Sequence, residues 1–145
     1  MVSLHACEAY EPELVARALS ACLEDLGGWG RFVAPGERVL MKVNLVSACD
    51  PELGATTHPV FVSEVAKSLI AYGARPVIGD SPGGTFNAAH LKRVYHLCGM
   101  DRAAEESGAE LSYNTGTAEL ENPEGRLLHH LTVTDMVASA DKVIS

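Results

Sequence analysis

The 145-residue chain has little positive charge. It contains 11 Lys and Arg residues against 19 Asp and Glu residues, and its formal net charge is -8. Proteins that bind nucleic acid or anionic membrane surfaces concentrate Lys and Arg, because they must neutralise phosphate groups. The composition therefore argues against a nucleic-acid partner and against a charged membrane surface.

The chain also lacks a long apolar run and a recognisable export signal. A membrane-spanning helix needs about 20 consecutive apolar residues, and no stretch approaches that length. The first five residues have neither a charged n-region nor an apolar h-region. We therefore expect a cytoplasmic protein with no membrane partner. With 47% hydrophobic residues, the chain can form one domain with a proper core and is too short for two.

Closely spaced metal-binding pairs are absent as well. Cys7, Cys22, Cys49 and Cys98 include no C-x-x-C pair, so the sequence predicts neither a zinc ribbon nor an iron–sulfur cluster. We expect four reduced thiols and no cofactor in this chain. Cys22 and Cys98 fall on apolar helical stripes and are expected in the core, whereas Cys49 falls in a polar loop.

The histidines do not form a metal-binding pattern either. His129 and His130 alternate across a predicted strand and therefore point to opposite faces. His90 and His96 are six positions apart on a predicted helix and diverge. The sequence predicts no metal site.

Segments of strand type alternate with amphipathic helical segments through most of the chain. This order favours right-handed β-α-β units and a parallel sheet covered by helices. We therefore predict a Rossmann-like three-layer α/β sandwich with a mainly parallel sheet. The predicted strands are residues 2–7, 38–46, 77–79, 110–113 and 142–145, and the predicted helices are residues 12–26, 58–72, 87–98 and 101–107.

The pattern changes after Gly108. Residues 118–120 and 127–133 flank the turn-forming residues 122–125, which predicts a C-terminal hairpin. Residues 136–140 predict a last helical turn capped by Thr134. The sequence ends within the last predicted strand, so we expect residues 1–145 to be a single α/β domain truncated at its C-terminal end. An uncovered strand edge favours pairing with another copy, which predicts a homodimer or higher oligomer.

Residues 77–84 form the most informative stretch, because an apolar strand ends there in Asp80, Ser81, a proline and two glycines. Glycines let backbone N–H groups approach a ligand, and a helix that follows such a loop directs its positive dipole end to the same place. This combination suits a small anion. The segment is neither G-x-G-x-x-G nor the Lys-containing P-loop, so no nucleotide motif is identified. A plain strand-to-helix turn is the alternative interpretation.

The carboxyl ends of parallel strands meet at one edge of a sheet, where ligands bind in open α/β folds. That rule gathers a set of polar residues at one edge. Lys42 is predicted as a cation for the anion, Asp80 as a general base or metal ligand, and Ser81 and the amides of Gly83 and Gly84 as donors. The other predicted ligand-binding residues are Asn44 and His58. Two alternatives stay open.

In the first alternative, the Lys42 side chain extends to solvent and Asp80 caps the following turn. In the second, His58 has a capping or packing role in the first turn of its helix rather than a role in proton transfer or ligand binding.

Residues 39–46, 56–59, 73–74 and 77–84 together resemble the uncharacterised proteins grouped as domain of unknown function 362. Residues 140–145 resemble the segment before that family's Lys- and His-containing strand, so the resemblance is to the N-terminal portion of the domain. Val43 stands where a proline is usual. The family domain commonly precedes ferredoxin-type modules, so the resemblance implies a redox-associated context and 4Fe-4S clusters in longer members. It does not extend to the four cysteines of this chain.

Two functions are consistent with these observations. The first is an α/β domain that binds a small anionic metabolite at the loop of residues 80–84. The second is a noncatalytic scaffold or interaction domain for an iron–sulfur module. Substrate and reaction are not encoded in any motif that we recognise.

Overall fold

The computed structural model describes residues 1–145 and contains a parallel sheet, a separate hairpin and five α-helices. The α-helices are α1 (Pro12–Leu26), α2 (Pro59–Tyr72), α3 (Ala88–Leu97), α4 (Met100–Ser107) and α5 (Asp135–Ala138). The strands are β1 (Arg38–Lys42), β2 (Arg75–Gly79), β3 (Glu110–Leu111), β4 (Thr117–Glu121), β5 (His130–Thr134) and β6 (Lys142–Ile144).

The main sheet has four parallel strands in the order β3-β2-β1-β6. Lys42, the last residue of β1, pairs with Gly79, the last residue of β2. The chain adds β2 and β3 on one side of β1 and later returns to add β6 on the other side. The order therefore reverses at β1, and the segment that leaves β1 starts at this switch point, where α/β sheets bind ligands.

The two faces of the sheet have different covers. Val39, Met41 and Ile78 belong to one buried cluster with apolar side chains of α2, α3 and α4. Because side chains alternate along a strand, Leu40 and Val77 face the opposite side, and both are buried. On that side the thioether of Met136 in α5 lies close to Gly79. The expected Rossmann-like α/β sandwich, with a parallel sheet and a C-terminal hairpin, is thereby confirmed.

The ends of the helices follow their sequence signals. Pro12 and Pro59 occupy the first positions of α1 and α2, where the missing backbone N–H costs nothing. Gly27 and Gly73 end these helices in the left-handed conformation. Asn87 caps α3 by accepting a hydrogen bond from the His90 backbone N–H at 2.8 Å. None of the helices is long and apolar enough to cross a membrane.

The prediction of a strand at residues 2–7 is wrong. This segment joins no sheet, and Val2 and Leu4 are exposed. It is held by side-chain contacts instead, because Ser3 and His5 both bond to the carboxylate of Asp25 in α1. Weak alternation over six residues does not specify a strand by itself, because pairing and packing with neighbours decide whether a strand forms.

Several boundaries and one expected cap also differ from the sequence prediction: β2 begins at Arg75, β3 ends at Leu111 and α5 ends at Ala138. β1 ends at Lys42 rather than at residue 46, and the chain continues irregularly to a single bridge between Leu45 and Thr56. The second hairpin strand begins at His130 rather than at residue 127. Thr134 precedes α5, but its side chain makes no capping hydrogen bond.

Candidate functional site

Lys42 and Asp80 form an ion pair at the carboxyl ends of β1 and β2. The Lys42 Nζ lies 2.9 Å from the Asp80 Oδ1. Asp80 is 5% exposed, whereas 43% of the Lys42 side chain is exposed. An ammonium group has three N–H donors, and one is directed at Asp80, so the remaining two are available at the surface. The two residues predicted to act together therefore do lie together.

The second carboxylate oxygen of Asp80 is also occupied. The Leu45 backbone N–H donates to Asp80 Oδ2 at 2.9 Å, within the segment that leaves β1. Asp80 thus ties this segment to the end of β2 while it holds the Lys42 ammonium. A carboxylate with both oxygens bonded inside the protein has less capacity to take a proton from a ligand, so its present contacts suit positioning better than base catalysis.

The hydroxyl of Tyr95, in α3, contacts the Asp80 backbone. The sequence did not predict this residue as part of the site. Its hydroxyl donates to the Ser112 carbonyl at 2.9 Å and accepts a longer hydrogen bond, at 3.4 Å, from the Asp80 backbone N–H. Burial of the phenol raises the pKa of Tyr95 to about 12. The phenol therefore stays neutral and keeps its donor proton. In the sequence, Tyr95 lies on the apolar stripe of its helix. This position predicts packing in the core but not the hydrogen bonds of its hydroxyl.

We refer to residues 80–84 as the glycine loop. Its Ser81, Gly83 and Gly84 are exposed, and their backbone N–H groups donate to no acceptor within the protein. Unpaired, exposed backbone donors are available to water or to an anion.

Close contacts fix the path of the glycine loop. A methyl group at Gly83 would lie 3.3 Å from the Val46 carbonyl oxygen, so the loop passes directly against the segment after β1. Gly84 has a φ of +102°, which side-chain-bearing residues rarely adopt. The His90 Nε2 of α3 lies 3.1 Å from the Gly83 carbonyl oxygen. Glycine is therefore required at position 83 by the close approach of the Val46 carbonyl and at position 84 by the positive φ.

Asn44 is two residues after Lys42 in the sequence, but its backbone contacts Thr57, at the other end of the segment that connects β1 to α2. Its backbone N–H donates to the Thr57 Oγ1 at 3.0 Å, and its carbonyl accepts from the Thr57 backbone N–H at 3.0 Å. The Asn44 residue is exposed. The sequence predicted no site role for Thr57. Its two hydrogen bonds to the Asn44 backbone hold the segment that leaves β1.

His58 has contacts of its own, separate from the Lys42 and Asp80 pair. Its Nδ1 accepts a hydrogen bond from the Val60 backbone N–H at 3.3 Å, which caps α2. Its ring stacks on Tyr10 with 3.8 Å between centroids and 10° between planes. Its Nε2 lies 3.5 Å from a carboxylate oxygen of Glu52. These contacts match the capping and packing alternative.

The glycine loop is exposed at the edge of the sheet. Five of the eight surface cavities have volumes of about 440 to 700 Å³, and these five are lined by residues other than Lys42, Asp80 and the glycine loop. A small anion bound by a few donors suits such an open edge better than a large apolar ligand, which needs an enclosing pocket.

The four cysteines do not fit a 4Fe-4S cluster. Cys98 is buried, as expected, and interacts with Cys49. Cys22 is only half-buried, not in the core as predicted, and lines a surface cavity together with Cys7. No group of three or more His, Cys, Asp or Glu side chains converges in the structure. A cluster of this type takes four thiolates around one site, so the cysteines of this chain do not supply its ligands.

Comparison with known proteins identifies one family and one curated relative. A family model described as "Domain of unknown function (DUF362)" matches residues 39–145. The curated thylakoid-associated protein sll1697 of Synechocystis sp. (strain ATCC 27184 / PCC 6803 / Kazusa) is 42% identical over 81 residues. That match covers 56% of this chain and 25% of the relative, so the chain spans about a quarter of the length of this curated protein. No solved structure matches the chain.

The family match includes Lys42, His58 and the glycine loop, the parts of the sequence on which the resemblance depends. It covers well over half of the chain. The resemblance noted from the sequence is therefore confirmed: this chain belongs to the DUF362 family, a domain of unknown function.

Proposed function

We propose that this domain binds a small anionic metabolite at the glycine loop, with the Lys42 ammonium and the backbone N–H groups of Ser81, Gly83 and Gly84 as donors. The observation that carries the proposal is that these unpaired, exposed amides follow Asp80, whose carboxylate is paired with Lys42 at the end of the neighbouring strand. Phosphates and carboxylates are the ligands that such a combination of a point charge and backbone donors recognises.

Asp80 is a positioning residue in this proposal. It holds the Lys42 ammonium at 2.9 Å and joins the segment after β1 through Leu45. The pair lowers the positive charge that an anion meets, so we expect modest affinity and a ligand with more than one negative charge. The prediction that Asp80 acts as a general base gains no support from its two occupied carboxylate oxygens.

Binding of inorganic phosphate and pyrophosphate to the purified chain, measured by isothermal titration calorimetry at low ionic strength, tests the proposal. Lys42→Met removes the ammonium and keeps an apolar stem of similar length. We expect binding at least tenfold weaker, because a hydrogen bond to a charged group contributes about 1.5 to 3 kcal/mol.

Lys142→Met is the matched control for this titration. Lys142 is an exposed lysine at the start of β6, opposite Val39 and therefore near the other end of the sheet. Its removal changes the net charge by the same amount, and we expect binding within twofold of the unsubstituted chain. Equal losses in both variants, or no binding of either anion, would reject the anion site.

A noncatalytic scaffold for an iron–sulfur module is the second candidate function. The observation that favours it is the full internal bonding of Asp80, which stabilises the fold whether or not a ligand binds. Its redox association comes from the family resemblance alone. The titration separates the two candidates, because a scaffold requires no phosphate binding at Lys42.

We also propose a cytoplasmic location. All four cysteines are unpaired thiols, which suits a reducing compartment. The curated relative is named as thylakoid-associated, so localisation of a tagged chain in intact cells is the direct test. Recovery with a membrane fraction after a high-salt wash would contradict the proposal.

A further inference from the structure

The Cys98 thiol is buried at the end of α3, where it meets the segment that leaves β1. Its Sγ donates to the Ser47 carbonyl oxygen at 3.4 Å. Cys49 is only two residues beyond Ser47, close enough for its backbone N–H and its side chain to influence the pKa of Cys98. Two cysteines that are 49 positions apart in sequence are therefore neighbours in the fold.

The two thiols differ in access and in chemistry. Cys49 is half-buried and reachable by small molecules, whereas Cys98 is fully buried. Burial is the main cause that raises the pKa of the Cys98 thiol; the Cys49 backbone N–H lowers this pKa by less, and the Cys49 side chain raises it further. A buried thiol that keeps its proton is a poor first nucleophile, since the thiolate is the reactive form. The accessible Cys49 is the better one.

We propose that Cys49 and Cys98 form a reversible disulfide that fastens the segment after β1 to the end of α3. The proposal is independent of anion binding. The Val46 carbonyl in the same segment lies against Gly83, so the bond would restrain one wall of the glycine loop. In a reducing compartment a disulfide of this kind is usually transient and redox-sensing.

The oxidant in this proposal is a low-molecular-weight disulfide. The Cys49 thiolate attacks one of its sulfurs, the S–S bond breaks, and the first small thiolate leaves and takes up a proton. Cys98 then loses its proton to solvent and attacks the Cys49 sulfur of the mixed disulfide, which releases the second small thiolate. Two protein thiols are oxidised by two electrons, and one small disulfide is reduced to two thiols.

The test uses the 145-residue chain and glutathione disulfide. The variant Cys7→Ser/Cys22→Ser keeps only Cys49 and Cys98, and Cys49→Ser/Cys98→Ser is the matched control that keeps only the other two. We expect the first variant to lose both free thiols in a thiol count after acid quenching, with a mass lower by two hydrogens and no retained glutathione. Dithiothreitol should restore both thiols.

Single substitutions test the order of attack. Cys98→Ser should accumulate glutathione on Cys49, whereas Cys49→Ser should leave Cys98 unmodified. Peptide mapping of the oxidised, unsubstituted chain does not depend on the folding of any variant. It should identify two peptides linked by a disulfide between Cys49 and Cys98. A persistent glutathione adduct on Cys49 with Cys98 free, only intermolecular disulfides, or two unreacted thiols would each overturn the proposal.

Discussion

Removal of the Asp80 carboxylate should destabilise the fold, and the size of the loss follows from its two contacts. Asp80→Ala leaves the Leu45 N–H without the acceptor it has at 2.9 Å. Loss of such a hydrogen bond to a charged group costs about 1.5 to 3 kcal/mol. The Lys42 ammonium is 43% exposed and can rehydrate, so loss of the ion pair adds only about 1 kcal/mol. We expect a total near 3 kcal/mol.

Asp80→Asn separates the two contributions. The amide oxygen can still accept from the Leu45 N–H, while the charge attraction to Lys42 is lost, so we expect a cost of about 1 kcal/mol. Urea unfolding followed by circular dichroism gives both free energies of unfolding by linear extrapolation. Lys42→Met in each background completes a double-mutant cycle, which should give a coupling energy of about 1 kcal/mol.

Either of two results would contradict this structural role of the Asp80 carboxylate. A cost below about 1 kcal/mol for Asp80→Ala would mean that the buried carboxylate does not hold the segment after β1. Equal costs for the Ala and Asn substitutions would mean that the hydrogen bond to Leu45 contributes nothing and that the charge alone matters.

The remaining predictions concern the sheet, its ion pair, the buried phenol and assembly. Gly79→Ala should cost about 1 to 3 kcal/mol in urea unfolding, because its methyl group would meet the Met136 sulfur at 2.8 Å; an unchanged midpoint would contradict that packing. Arg38 bonds to both carboxylate oxygens of Glu110 at 2.7 and 2.8 Å and lowers the pKa of that carboxyl. The pair is largely exposed, so its contribution of about 0.5 kcal/mol should be present above the usual pKa of glutamate and lost as pH falls through the lowered value; Glu110→Gln should remove this pH dependence. Because the pKa of Tyr95 is raised to about 12, stability should fall as pH rises from the ordinary tyrosine pKa of about 10 through that value, and Tyr95→Phe should remove this fall at a cost of about 1 to 2 kcal/mol. Because the edge strand β6 exposes Val143, light scattering at micromolar concentration should give a mass above the 15.4 kDa of one chain; a single species of 15.4 kDa would refute self-association.

The sequence predicted the structure best where local residue patterns and the general rules of α/β topology point to the same arrangement. The α1 and α2 boundaries follow from their prolines and glycines, and the positions of β1 and β2 follow from continuous apolar runs. The β-α-β rule then makes β1 and β2 neighbours, which brings Lys42 next to Asp80 without any knowledge of coordinates. The approach of these two residues was therefore predictable.

Contacts that depend on distant packing were not predictable in this way. Tyr95 has the pattern of a core residue, and its bond to the Ser112 carbonyl depends on the registration of α3 against β3. The same holds for Cys49 and Cys98, which no sequence spacing relates. Residues 2–7 show the opposite error: their alternation predicted a strand that does not form, because strand formation depends on cross-strand pairing and burial that periodicity alone does not reveal.

The most direct test of the account is a phosphate titration of the ¹⁵N-labelled chain followed through its backbone amide resonances. If the glycine loop binds anions, the largest saturable shifts will come from the amides of Ser81, Gly83 and Gly84, and they will disappear in Lys42→Met but persist in Lys142→Met. Shifts that are confined to other amides, or that survive the loss of Lys42, would contradict the central claim that this lysine and the glycine loop form one anion site.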